Sequence, residues 1–144
     1  MIKQDYLTNN DCYKQGRKMQ IKGLMLHSVG CGVENPMNFI KSWNKSGVYK
    51  CVHAFIDEHD VYETLPHDYR AWHCGKGEKG SFNDGYMGVE MCEPSSIVYV
   101  SGSSFVDKDA EHTKTFVKNT YKVAVEYFAH LCSKYCLNPL AKNV

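Results

Sequence analysis

Apolar positions along the chain form short runs in its first two thirds and one long helical repeat in its last third. Ile21 to Ser28 holds Leu24-Met25-Leu26 and ends on His27, which predicts a buried strand opening into the turn-prone Ser28-Val29-Gly30-Cys31-Gly32. Pro36 to Trp43 sets Phe39, Ile40 and Trp43 on one face behind a proline, which predicts a helix. Tyr49 to Asp57 and Val61 to Leu65 flank the polar turn Glu58-His59-Asp60 and predict an antiparallel hairpin. Pro66 to Gly85 breaks into a long glycine-rich, aromatic loop, a kind of segment that is usually functional in a compact domain. Tyr86 to Cys92 resumes as a strand, interrupted by Glu90.

From about 107 to 136, Phe116, Val117, Tyr121, Ala124, Val125, Phe128, Leu131, Cys132 and Tyr135 recur at helical spacing. One helix is predicted there, with acidic Asp109 and Glu111 in its first turn and its apolar stripe packed as core across the sheet. Strands alternating with helices place the chain in the α/β class, and nothing in it reads as a repeat or linker, so one domain over 1–144 is expected.

Composition narrows the function. With 144 residues, 43% hydrophobic and 23% charged, the chain can bury a core without staples. No run is long enough to span a bilayer. A net charge of +1 with scattered lysines and arginines lacks the basic stripe of a nucleic-acid binder. The start, Met1-Ile2-Lys3-Gln4-Asp5-Tyr6, has no basic-then-apolar leader, so synthesis and folding in a cytoplasm are expected. Seven cysteines without a C-x-x-C pair are expected to be mostly reduced thiols in the core, with Cys132 and Cys136 on one packed helix face.

Two residues break the apolar pattern in a way that suggests chemistry. An imidazole at the end of a buried strand puts a metal ligand or proton carrier at the sheet rim, where α/β proteins keep their sites. Glu90 is the second, since a carboxylate within a buried strand is costly unless paired or used. A bland alternative is that His27 and Glu90 simply satisfy each other. No H-E-x-x-H is present, so a zinc site would gather its ligands from separate elements. His59 and His112 are expected to be solvated and His130 to face away from the core, while His53 and His73 fit either a structural or a functional role.

Four segments then fall into a known order: Gly23-Leu24-Met25-Leu26-His27-Ser28, His53-Ala54-Phe55-Ile56-Asp57, Ala71-Trp72-His73-Cys74-Gly75 and Gly88-Val89-Glu90, with Asn83 in the loop before the glutamate. Over roughly 18–135 the chain resembles the type-2 N-acetylmuramoyl-L-alanine amidases, wall-lytic enzymes related to peptidoglycan-recognition proteins, and most of all the catalytic domain of a clostridial-type phage endolysin. The resemblance implies a mixed central β-sheet flanked by helices. It implies hydrolysis of the amide between N-acetylmuramic acid and L-alanine, with bacterial peptidoglycan as partner and Zn2+ as cofactor. His27 matches the first zinc ligand, Glu90 the general base, and Trp72, His73, Asn83 and His53 the substrate groove.

Two departures accompany the likeness. Val52 stands where some relatives carry a tyrosine, which leaves the acid/base work to Glu90. The family's remaining zinc ligands follow the long helix, beyond Val144, so the domain is expected to lack its last strand and loop, to bind zinc weakly or not at all in this form, and to self-associate through an uncovered sheet edge. Action on the wall after release from the cell is implied by the likeness alone. The alternative function is a muropeptide-binding module that does not cut.

Overall fold

The computed structural model describes residues 1–140. Five strands form one mixed sheet: β1 (Ile2–Gln4), β2 (Gly23–Ser28), β3 (Ala54–Ile56), β4 (Val61–Glu63) and β5 (Tyr86–Met91), in the order β1-β4-β3-β5-β2. β3 and β4 pair antiparallel, as their turn predicts, whereas β5 runs parallel to both β3 and β2. β2 therefore lies at a sheet edge, held by β5 on one side. Helices α1 (Asp11–Gln15), α2 (Met37–Trp43) and α3 (Ala110–Tyr135) flank the sheet, and a separate hairpin, β6 (Ile97–Ser101) with β7 (Ser104–Asp107), precedes α3.

Alternation along the strands divides the core in two. Ala54, Ile56, Met87, Val89 and Met91 face α3, which covers them with Ala124, Tyr127 and Leu131. Phe55 faces the other way and packs with Leu7, Ile40 and Val52, the Phe39 and Phe55 rings stacking 5.2 Å apart. Register between β2 and β5 has a mark of its own. Gly23 pairs with Tyr86, and the Tyr86 ring fills the space where a Cβ at Gly23 would be.

Four expectations are corrected. The strand from Tyr49 shortens to Ala54–Ile56, because Cys51 leaves the sheet to bridge Trp72 in the loop. The apolar arc of α3 is wider than the sheet can cover: Val117, Tyr121 and Val125 are exposed, while Thr120 and Tyr127 are buried. Cys136 closes α3 as a left-handed cap (φ 53°) instead of packing beneath it. His112 is not free in solvent, since its Nε2 lies 2.6 Å from Glu34 Oε1 and ties α3 to the loop before α2. Five cysteines stay as thiols and Cys12 and Cys51 form a disulfide, with Cα atoms 6.6 Å apart.

The Glu34–His112 contact makes stability depend on pH. Its hydrogen bond to Glu34 raises His112 above its ordinary 6.5. Burial pushes Glu34 up, but hydrogen bonds from His112 and Ser95 outweigh it and leave the carboxyl below its ordinary 4.5. The His112 contribution is complete below its unfolded value and disappears as pH rises through the folded one. That of Glu34 is complete above its unfolded value and disappears as pH falls through the folded one. The melting-temperature difference between the parent and a His112→Asn variant is expected to peak between about pH 4.5 and 6.5 and to shrink on both sides.

Candidate active site

Residues opposite each other in a parallel pair, at the same phase of the pleat, send their side chains to one face. His27 pairs with Glu90 across β2 and β5, so the imidazole and the carboxyl are neighbours. They do not satisfy each other. His27 Nε2 bonds His73 Nδ1 at 2.9 Å, and Glu90 Oε2 is buried with no hydrogen-bond partner. Burial, reinforced by the charge of Glu93, pushes the Glu90 carboxyl up to about 8. Burial also holds His27 below its ordinary range.

The loop from 64 to 85 delivers His73 to this spot, and local chemistry fixes it there. Asn83 is 3% exposed, and its Oδ1 accepts from the backbone N–H of His73 (2.8 Å) and of Cys74 (3.2 Å) while its Nδ2 donates to Cys74 O (2.8 Å). The ring then lies across Gly88 of β5, where a Cβ would come within 2.6 Å of its Cδ2 and 2.7 Å of its Nδ1. His73 Nε2 donates to Tyr86 O at 3.1 Å. Burial, with His27 close by, lowers its pKa to about 4.

Below this layer, His53 has no exposed surface. Its Nε2 donates to Tyr69 O (2.8 Å), its Nδ1 accepts from the Gly88 N–H (3.1 Å), and burial drives its pKa down to about 3. The groove role expected for His53 and Asn83 is thus corrected: every polar atom of each ring or amide is spent on backbone, so they support the site from beneath. An Asn83→Ala variant, leaving two half-buried loop N–H groups without their acceptor, is expected to lose about 1–3 kcal/mol in a urea titration. Trp72 is the groove candidate with a free surface, at 49% exposure, its backbone bridged to Cys51 and its ring 5.6 Å from the Arg70 guanidinium.

Sequence reasoning missed Glu93. It is 7% exposed; Oε1 accepts from the Gly30 N–H and the Tyr99 hydroxyl, both at 3.1 Å, and Oε2 is buried without a partner. A carboxylate in Met91-Cys92-Glu93-Pro94, so soon after Glu90, was the available signal.

Tyr86 O can only accept, so the His73 proton sits on Nε2 and its Nδ1 accepts from His27 Nε2–H. His27 Nδ1 is left with its lone pair, the state of a ligating imidazole whose other nitrogen is tied down. One donor of the right kind is present. Among the described residues, however, no three His, Cys, Asp or Glu converge on a point that could hold a metal ion. The described residues therefore do not fit a three-ligand zinc site. Also among them, no helix is long and apolar enough to cross a membrane.

The chain is 28% identical over 97 residues to the N-acetylmuramoyl-L-alanine amidase CwlH of Bacillus subtilis, covering 64% of this chain and 38% of that one. It is 25% identical over 140 residues to the amidase BlyA of the same organism, covering 94% and 36%. The chain thus spans little more than a third of these relatives' length. A mutant endolysin from Bacillus subtilis superposes with a TM-score of 0.70 over 96% of this chain and 79% of its own at 18% identity, a likeness of fold. Residues 17–144 match the profile of the Amidase_2 family, described as N-acetylmuramoyl-L-alanine amidase, and the chain belongs to that family.

Proposed function

We propose that this chain is a peptidoglycan hydrolase that cleaves the amide between the lactyl group of N-acetylmuramic acid and L-alanine. The observation that carries the reading is the pairing of His27 with Glu90, whose buried Oε2 has no protein partner. Such a carboxyl can take the proton of an attacking water and return it to the departing amine of L-alanine. Burial holds the proton affinity of Glu90 near the range such a shuttle needs. Trp72, half exposed beside His73, offers an aromatic face to the substrate.

Zinc dependence belongs to the same reading: an ion held there would supply Lewis-acid chemistry for the hydrolysis. His27 would be its first ligand. Because the described residues bring no three donors together, the 144-residue chain is expected to hold zinc weakly and to keep far less than one ion after gel filtration, as elemental analysis would measure, so its wall hydrolysis is to be assayed with zinc supplied in the buffer. A phage or bacterial lysin acting on the wall after release is the biological form of this proposal.

The incomplete donor set also favours a second reading, a muropeptide-binding module that does not cut. Purified cell walls separate the two. New L-alanine amino termini, counted by amine labelling, are expected for the hydrolase. Wall binding without them would leave the module.

A further inference from the structure

We infer that His73 is a positioning residue, whose task is to hold the His27 ring in place and keep its proton on Nε2. Three independent features single it out. His73 is fixed at both ends, the Asn83 side chain gripping its main chain and the Tyr86 carbonyl oxygen accepting from its ring Nε2. The second feature is the strand beneath it: Gly88 has room for the ring only because it carries no Cβ. Finally, the one ring atom of His73 left over, Nδ1, meets His27 Nε2 at 2.9 Å. Tyr86 O, His73 and His27 thus form a chain of hydrogen bonds whose direction is set at its backbone end, because a carbonyl cannot donate.

Which nitrogen of an imidazole does chemistry is decided by the bond the other one makes. By claiming Nε2 of His27, His73 reserves Nδ1 for whatever His27 serves. This differs from a wall residue touching substrate, and the two roles predict different losses. The consequence for turnover rests on the amidase reading; the hydrogen bond itself does not.

The test uses the whole chain labelled with 15N-histidine. In the parent, a slowly exchanging His27 Nε2–H is expected, with a 15N–15N coupling transmitted through the hydrogen bond to His73 Nδ1. In His73→Ala both signals should vanish. His73→Gln, whose amide oxygen can accept from His27, should restore the protected proton without the coupling. In wall hydrolysis, His73→Ala is expected to lower kcat about 10–100-fold with KM little changed, and His73→Gln to recover part of it.

Absence of the coupling and of the protected proton in the parent would overturn the inference. So would a His73→Ala loss that falls on KM alone, which is the mark of a groove contact. Should the parent cut no walls while showing the coupling, the hydrolase proposal fails and the positioning role stands. Should it cut walls while lacking the coupling, the reverse holds.

Discussion

A Glu90→Gln variant is expected to fold at least as well as the parent and to release L-alanine amino termini from cell walls about 10²–10⁴-fold more slowly. Glutamine keeps the shape of the side chain and removes its capacity to carry a proton between water and amine. The unusual half of the prediction concerns stability. Glu90 Oε2 is buried with no hydrogen bond, so the carboxyl contributes desolvation and repulsion from Glu93 without a compensating partner. Groups kept at such a location against stability are commonly the working ones. Calorimetry and amine release measured on the same preparation check both halves. A variant that still cuts at the parental rate would remove Glu90 from the base role, and one that melts much earlier would show that the carboxyl is a structural partner after all.

The second large effect is expected from a single methyl group. In Gly88→Ala the new Cβ would overlap the His73 ring, while the backbone N–H of the same residue is bonded to buried His53. The strand cannot retreat without breaking that bond, so the ring must leave. Overpacking of this kind costs about 1–3 kcal/mol. Here it should also release His27, and a drop of more than about tenfold in wall hydrolysis is expected. Gly75→Ala, in the loop that carries His73 and with open space around the added Cβ, is the control that should leave both quantities near the parental values. Equal behaviour of the two variants would mean that the His73 ring moves aside freely.

Much of the architecture was legible because periodicity is strong wherever an element is long or buried. The strands ending at His27 and around Glu90, the Met37–Trp43 helix and the long final helix are found close to their expected bounds, and the antiparallel pair around Glu58-His59-Asp60 is found with a much shorter first strand. The elements that escaped are brief or exposed. β1 has three residues, all exposed, and α1 has five, so neither repeats often enough to show a period. The β6–β7 hairpin was readable in principle, since Ile97-Val98-Tyr99-Val100 and Phe105-Val106 flank Gly102, but its strands are largely exposed and stand apart from the main sheet.

In the site, the two strand residues were visible as apolar runs broken by a polar side chain. What lay beyond reach was everything fixed by the loop. Contact between His73 and His27, the grip of Asn83 on the main chain, and the burial of His53 depend on how 64–85 folds back, and no periodicity describes that. Motif order pointed to these residues without saying which touch solvent.

The glycines of β2 and β5 have one more implication. An aromatic ring fills the notch at Gly23, and an imidazole fills the one at Gly88. Sliding β2 by one residue would turn His27 toward the face packed by α3 and take Gly23 from the Tyr86 ring, and sliding β5 would do the same to Glu90 and to the seat of the His73 ring at Gly88. The notches work like the wards of a lock, admitting a single alignment, so a molecule whose interior has closed correctly has its reactive groups aligned by the same event.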